Sequence, residues 1–179
     1  TPTAGLPVMK MTVKKKLPTG VASNVKQHVL FLLDHSSSMS GEKIQELDMA
    51  MGSILLQLAD PANKDGFRVT IIPFNFDSPI LKAIQEIDDF KARPNPDGWQ
   101  FLQTQAFMLS DGQSQVADKN IQDLQERANV TAVAYGADAN QGTLARIASD
   151  GHVHVVGTDG GALRDFLAAV GATMVSTIK

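Results

Sequence analysis

The feature that most constrains this chain is an apolar run that ends abruptly in small polar residues. Val29 to Leu33 are all apolar, and Asp34 follows them directly. A continuous apolar run of this length is typical of a strand buried on both faces, as in a parallel sheet. Ser36 and Ser38 come next at alternate positions, and Gly41 precedes a long helical pattern. The stretch therefore predicts a buried strand, a short polar loop and a helix.

The predicted loop offers one carboxylate and two hydroxyl groups, which are hard oxygen ligands. In open α/β sheets, ligands bind outside the carboxyl ends of the strands. A later apolar run ends at Asp111, and a neighbouring parallel strand there would bring this carboxylate close to Asp34. Such a set suits Mg²⁺, Mn²⁺ or Ca²⁺ rather than zinc or copper. We therefore predict a divalent metal site whose ligands are Asp34, Ser36, Ser38 and Asp111.

Two motifs carry a family resemblance. Asp34-x-Ser36-x-Ser38 after a buried strand, joined by Ser110-Asp111-Gly112 after a later one, resembles the metal-ion-dependent adhesion site (MIDAS) of von Willebrand factor type A domains. The resemblance implies a Rossmann-like domain over residues 28–179, preceded by residues 1–27 as an N-terminal arm or additional strand. It also implies a binding module rather than an enzyme, whose ion accepts an Asp or Glu carboxylate from a protein partner. Intracellular bacterial members, some tied to tellurite resistance, are similar in this respect, although no motif singles out that role.

Composition limits the classes of partner. The chain has 179 residues, the length of one domain, and is 43% hydrophobic and 20% charged, as in ordinary soluble domains. A net charge of −3 gives no general attraction to nucleic acid. No apolar stretch approaches the roughly 20 residues that span a membrane. The absence of cysteine fits a reducing compartment, so we expect a cytoplasmic location. The oligomeric state stays open.

Hydrophobic periodicity predicts alternating strands and helices. That order is typical of a doubly wound, mostly parallel sheet flanked by helices, with one antiparallel edge strand. Strands are predicted over Val8–Val13, Val29–Leu33, Phe67–Phe74, Ile80–Ile84, Ala106–Leu109, Val130–Tyr135 and His152–Val156, with Ile80–Ile84 returning as an antiparallel hairpin. Helices are predicted over Glu42–Leu58, Ile121–Ala128, Gln141–Ser149 and Leu163–Met174, with Ser40 as a cap of the first.

The segment Gln85–Gln103 does not fit this pattern. It shows no helical stripe, yet a crossover between parallel strands normally contains a helix. The family also has a Gly-Gly-Thr-like loop hereabouts, whose Thr supplies a third hydroxyl to the metal site. Thr104 lies too close to a strand for that role, and Thr70 lies inside one.

Three explanations for the missing threonine stay open. The site is degenerate, or Asn95 or Asp97 replaces the threonine, or a segment between Phe90 and Trp99 is absent from the chain. The third explanation is favoured, because a right-handed crossover must be closed by some element.

Structural interpretations compete with the functional ones. Ser36 and Ser38 can cap the following helix, and Asp111 with Gly112 can form a turn. Asp138 and Asp159, at other strand ends, are interpreted as loop formers. His35 is expected at the rim of the site with its side chain turned away from the ion, and Trp99 is either packed on the body of the domain or a partner contact. His28, His152 and His154 are interpreted as structural.

Two other functions remain as alternatives. A strand-end Asp with Mg²⁺ occurs in phosphohydrolases that use an Asp nucleophile, but Ser36 stands where their second Asp would act as the general acid. A metal-free scaffold that binds partners is favoured by the missing threonine loop.

Overall fold

The structure is a computed structural model that describes residues 9–13, 25–36, 39–63, 65–75, 79–111, 116–135, 139–157 and 160–177. Within these ranges the strands are β1 (Met9–Val13), β2 (Val25–Asp34), β3 (Phe67–Phe74), β4 (Gln100–Phe101), β5 (Thr104–Ser110), β6 (Ala128–Tyr135) and β7 (Val153–Gly157). The helices are α1 (Glu42–Leu58), α2 (Pro79–Lys91), α3 (Asp118–Arg127), α4 (Gln141–Ile147) and α5 (Gly160–Thr177). None of these helices is long and apolar enough to cross a membrane.

The strands form one sheet in the order β1-β3-β2-β5-β6-β7, and β4 pairs with the first two residues of β2. The neighbours from β3 to β7 are parallel, whereas β1 runs antiparallel to β3 at the edge. The predicted doubly wound, mostly parallel sheet with one antiparallel edge strand is therefore confirmed, but that edge strand is β1 and not the predicted Ile80–Ile84. All the parallel strands end at one edge of the sheet, which we call the carboxyl rim.

The helices cover both faces of the sheet. Helices α1 and α5 pack on one face, and α2, α3 and α4 pack on the other. Strand β2 lies between them, with Phe31 facing the first layer and Leu32 facing the second, both 0% exposed. Full burial of such side chains stabilises the fold by roughly 1.5–3 kcal/mol each. The prediction of a central strand buried on both faces is confirmed.

The predicted strand Ile80–Ile84 is wrong, because these residues belong to α2. Ile80, Ala83 and Ile87 are buried at helical spacing against the sheet. This row of buried residues runs through Ile84 and Gln85, where the sequence analysis ended one element and began another. Neither part alone contains enough of the row to show the helical period. Helix α2 closes the crossover from β3 to β5, and the topology requires no further segment between Phe90 and Trp99.

Candidate metal centre

Asp34 is held in a fixed orientation at the carboxyl rim. It ends β2, is 3% exposed, and its Oδ1 accepts a hydrogen bond from the backbone N–H of Ser36 at 2.8 Å. Its Oδ2 accepts one from the hydroxyl of Ser110, the last residue of β5, at 2.7 Å. These two bonds use two of the roughly four acceptor positions of a carboxylate. No other described residue is seen to donate to Asp34, so the remaining positions could bind a cation.

The charge on Asp34 has no basic partner among the described residues. Burying a carboxylate costs several kcal/mol, and a hydrogen bond to a charged group returns only about 1.5–3 kcal/mol. Both donors to Asp34 are neutral, and in the part of the chain that the structure describes no Lys or Arg forms an ion pair with it. A divalent cation fits this position because it would balance the buried negative charge.

Asp111 lies beside Asp34 at the same rim. It follows β5 directly and is fully buried. Strands β2 and β5 are parallel neighbours with Leu33 opposite Leu109, and such strands lie about 4.8 Å apart. The backbone C=O of Asp111 accepts a hydrogen bond from the N–H of Asn140 at 2.6 Å, which fixes this strand tip against the loop before α4. The structure thus brings both carboxylates to one edge, and their sharing of an ion stays a prediction.

The loop after β2 is anchored at both ends. The N–H of His35 donates to the C=O of Phe74 at 2.7 Å, and the N–H of Met39 donates to the C=O of Ser36 at 2.9 Å. Met39 is 0% exposed and belongs to the core beneath α1. Ser36 is therefore confined beside Asp34. Ser38 lies outside the described residues, and its role as a ligand stays a prediction.

Helix α1 begins directly after this loop. Its N-cap residue is Gly41, with φ 79° and ψ −130°, a conformation that residues with a Cβ rarely adopt. Because the N-cap is Gly41, which has no side chain to donate a capping oxygen, the predicted cap at Ser40 is wrong. Gly41 lets the chain reverse from the loop into α1 within one residue, which keeps the loop short.

Neither threonine considered for the third hydroxyl reaches the rim. Thr104 and Thr70 lie towards the opposite end of the sheet, where their hydroxyls are 3.2 Å and 3.0 Å from the two ring nitrogens of His28. The structure therefore agrees with their rejection as ligands and with a structural role for His28.

The explanation that Asn95 or Asp97 replaces the threonine is wrong. Both lie in the loop that leads into β4, and β4 pairs with the start of β2, far from the rim. Asn95 uses its side chain within that loop: Oδ1 accepts from the N–H of Trp99 at 3.0 Å, and Nδ2 donates to its C=O at 2.8 Å. Lys26 and Arg68, at the start of β2 and in β3, lie against the Trp99 ring, so Trp99 is packed on the body of the domain.

The structure adds two rim residues that the sequence analysis did not assign. Ser110 was noted only as part of a motif, but its hydroxyl holds Asp34. Asn75 follows β3 at the same rim, and its buried Oδ1 has no hydrogen-bond partner among the described residues. The buried Nε2 of the neighbouring His35 has none there either. The sequence signal that could have identified Asn75 as a rim residue was its position directly after a buried strand.

The donor set is poor in the residues that bind softer metals. Within the described ranges, no three His, Cys, Asp or Glu side chains cluster as metal ligands. A site at this rim therefore depends on hydroxyl oxygens in addition to the two carboxylates, as the resemblance implied. Asp138 and Asp159, interpreted as loop formers, lie outside the described residues.

The sheet order defines an α/β domain, and its carboxyl rim carries a candidate metal site with oxygen ligands at the ends of β2 and β5.

No protein-family model matches the sequence, and no curated protein matches it. Among solved structures, the chain is similar to proximal thread matrix protein 1 from the mussel byssus. One crystal form gives a TM-score of 0.64 at 14% identity over 86% of this chain. Another, described as having a zinc-occupied MIDAS motif, gives 0.63 at 14% identity over 86%.

The similarity shows the fold. A third structure of the same matrix protein gives a TM-score of 0.51 at 18% identity over 88% of this chain. This chain spans about half of those chains, covering 49%, 49% and 47% of their lengths. The chain therefore shares the fold of these structures, and this fold agrees with the resemblance to von Willebrand factor type A domains that the sequence motifs indicated.

Proposed function

We propose that this chain is a divalent-cation-dependent protein-binding module. Its ion is held by Asp34, Ser36, Ser38 and Asp111, and it binds a partner through an Asp or Glu carboxylate of that partner. The observation that carries the proposal is the buried carboxylate of Asp34, oriented by two neutral donors beside Asp111 on the next strand. The zinc-occupied MIDAS motif of the mussel protein supports a divalent ion at this rim.

The electrostatics of the rim favour a bridging ion. A bound divalent ion supplies a positive centre with an incomplete coordination shell. Asp34 and Asp111 together carry two negative charges, which balance the charge of that ion. Two carboxylates and two hydroxyls provide four protein ligands, whereas Mg²⁺ prefers six. The remaining positions accept water or the carboxylate of a partner, and the surrounding loops provide specificity.

The donor set favours Mg²⁺, Mn²⁺ or Ca²⁺, although the neighbour is described with zinc. Hard oxygen ligands suit the first three ions. Affinity among first-row metals rises from Mn²⁺ to Cu²⁺ and falls again at Zn²⁺, so the geometry of the site, its ligand type and metal availability decide which ion is bound. The choice between these ions is part of the proposal, and the experiment must include each of them.

The proposal is tested by metal titration of three proteins. Calorimetry with Mg²⁺, Mn²⁺, Ca²⁺ and Zn²⁺ on the wild type is expected to show one saturable site. Asp34→Asn removes a ligand charge with little change of shape and is expected to abolish that site. Asp48→Asn, at an exposed position of α1, makes the same charge change and is expected to retain it. No binding by the wild type would instead support the metal-free scaffold.

A second measurement tests the open coordination position. Mn²⁺ bound to the wild type relaxes water protons strongly, and added acetate is expected to reduce this effect as its carboxylate displaces bound water. Metal binding without a response to acetate would indicate a closed structural site and contradict the adhesion mechanism. The similar solved chains are described as matrix proteins, and magnesium-dependent hydrolysis of a simple phosphate ester would contradict a non-enzymatic role.

A further inference from the structure

A second candidate binding site lies at the end of the sheet opposite the carboxyl rim. It is a cavity of about 540 Å³ between the amino ends of the central strands, the last turns of α2 and α3, and the loop that carries β4. Small-molecule sites in proteins commonly measure about 300–1,000 Å³. None of the residues predicted to hold the metal lines this cavity.

The floor of the cavity is a fixed pair of rings. His28 is 1% exposed, and its two ring nitrogens bond to Thr104 and Thr70. Phe90 stacks on the imidazole, with ring centroids 3.9 Å apart and planes 6° from parallel. Burial, followed by the charges of Arg93 and Lys91, lowers the pKa of His28 to about 4. The imidazole is therefore neutral at pH 7.

One wall is held in place by several contacts. Asn95 makes two hydrogen bonds to the backbone of Trp99. Lys26 Nζ and Arg68 Cζ lie 4.8 Å and 4.7 Å from the centroid of the Trp99 ring, within the range of cation–π attraction. These contacts preform the wall, so a ligand does not have to order it.

Two cationic side chains at the mouth have no acidic partner among the residues that the structure describes. Lys91 and Arg93 are exposed, line the cavity, and form no ion pair within the described part of the chain. The guanidinium of Arg93 lies 5.4 Å from the Phe90 ring centroid. Glu126 also lines the cavity, so one carboxylate faces two unpaired cations.

The other two cations of the lining are already paired. Arg68 bonds to Asp65 at 3.2 Å, and Arg127 bonds to Asp88 at 2.9 Å. Their charges are largely balanced, which leaves Lys91 and Arg93 as the groups available to an anion.

An aromatic surface lies beside these cations. Phe101 is 40% exposed and meets Phe90 and Trp99 edge-on, with centroids 5.1 Å and 6.4 Å away. An exposed ring of this size inside a cavity provides a flat apolar contact for another ring. Cations and an exposed aromatic ring thus share one concave site.

We propose that this cavity binds a small molecule in which a planar aromatic ring carries an anionic group. The ring packs on Phe101, and the anionic group pairs with Lys91 and Arg93. Nucleoside phosphates and aromatic carboxylates share this chemistry. The proposal does not depend on the metal centre.

Trp99 gives a direct test, because it is the only tryptophan of the chain and lines the cavity. Its fluorescence is followed while adenosine monophosphate, adenosine, inorganic phosphate, phenylacetate and benzyl alcohol are added separately. Saturable changes are expected for adenosine monophosphate, for phenylacetate or for both. Which of the two compounds responds distinguishes a nucleoside phosphate ligand from an aromatic carboxylate ligand. The matched neutral compounds and phosphate alone are expected to bind at least about tenfold more weakly.

Variants check the assignment of the residues. Lys91→Met combined with Arg93→Met is expected to weaken binding about tenfold and to reduce its dependence on salt. Phe101→Ala is expected to weaken it by a similar factor, and Lys119→Met, at an exposed position in the first turn of α3, is expected to leave it unchanged. No saturable response to either anionic aromatic probe would overturn the proposal. Equal binding of a neutral analogue or of phosphate alone, or an equal loss in Lys119→Met, would also overturn it.

Discussion

Substitution of Asp34 by Asn separates the burial of a carboxylate from the binding of an ion. Asn has nearly the same shape, and its Oδ1 can still accept the N–H of Ser36. The substitution removes the cost of a buried charge but weakens the bond from Ser110, which now meets a neutral group. Because these effects oppose each other, we expect the free energy of unfolding without metal to change by only about 1 kcal/mol.

With metal the two proteins are expected to differ clearly. An ion present at 100 times its dissociation constant stabilises the folded state by about 2.7 kcal/mol. In a domain of this size each kcal/mol raises the unfolding temperature by about 2–4 °C. The wild type should therefore gain roughly 5–11 °C, whereas Asp34→Asn should gain almost nothing.

The measurement is thermal unfolding followed by circular dichroism in chelator and in rising concentrations of Mg²⁺, Mn²⁺ or Zn²⁺. Asp48→Asn serves as the control for the loss of one negative charge and should behave as the wild type. An unfolding temperature of the wild type that no ion raises would refute a metal centre at this rim. An equal increase in Asp34→Asn would show that the ion binds elsewhere.

Three further substitutions test individual contacts. Ser110→Ala removes the hydroxyl donor to buried Asp34 and should lower the metal-free free energy of unfolding in urea by about 1–3 kcal/mol; an unchanged value would contradict the importance of this bond. Mainly because it is buried, His28 has a pKa of about 4 in the folded protein, whereas its ordinary pKa is 6.5. Between pH 4 and pH 6.5 the unfolded chain therefore binds more protons at this residue than the folded protein does. As the pH drops from 6.5 to 4, His28 should therefore lower the free energy of unfolding by about 3 kcal/mol. His28→Asn should lack this part of the pH dependence, and equal pH profiles of the variant and the wild type would contradict the assignment. Asn95→Ala removes both bonds to the Trp99 backbone and should shift the Trp99 emission to longer wavelength, which an unchanged spectrum would contradict.

Elements with a complete pattern inside clear boundaries were predicted from the sequence. Helix α1 and strand β3 have the predicted bounds, Glu42–Leu58 and Phe67–Phe74. In α1 the buried residues recur at helical spacing, and Asp60-Pro61 ends the pattern. In β3 the apolar residues lie between a turn and a polar segment. Local hydrophobic patterns suffice to predict the type and bounds of an element when one of its faces is buried along its whole length.

Helix α2 was missed because its ends resemble other elements. Pro79 is its first residue, a position that proline favours because the missing N–H would have no helical partner. Proline is also common in turns, so Pro79 does not by itself mark the start of a helix. Ile80–Ile84 contains apolar pairs around Lys82, which a strand tolerates as well as a helix. The later stripe residue Ile87 was needed to show the helical period.

The candidate metal centre was predictable only in outline. Parallel strands that end in Asp34 and Asp111 follow from the order of elements, because such strands end at one edge. The bond from Ser110 to Asp34 depends on the register between β2 and β5, across 76 residues of sequence. No local pattern contains that register. The same holds for the pairing of His28 with Thr104, which forms the floor of the cavity.

The two candidate sites lie at opposite ends of β2, and this arrangement makes them electrostatically independent. His28 and Asp34 are six positions apart on an extended strand, a separation of about 20 Å. At an effective dielectric constant near 20, two unit charges at that distance interact by about 0.8 kcal/mol before screening. Salt reduces the interaction further, because the Debye length is about 8 Å at physiological ionic strength. Any stronger coupling would require β2 to move, and its pairing with β3 on one side and β5 on the other opposes such movement.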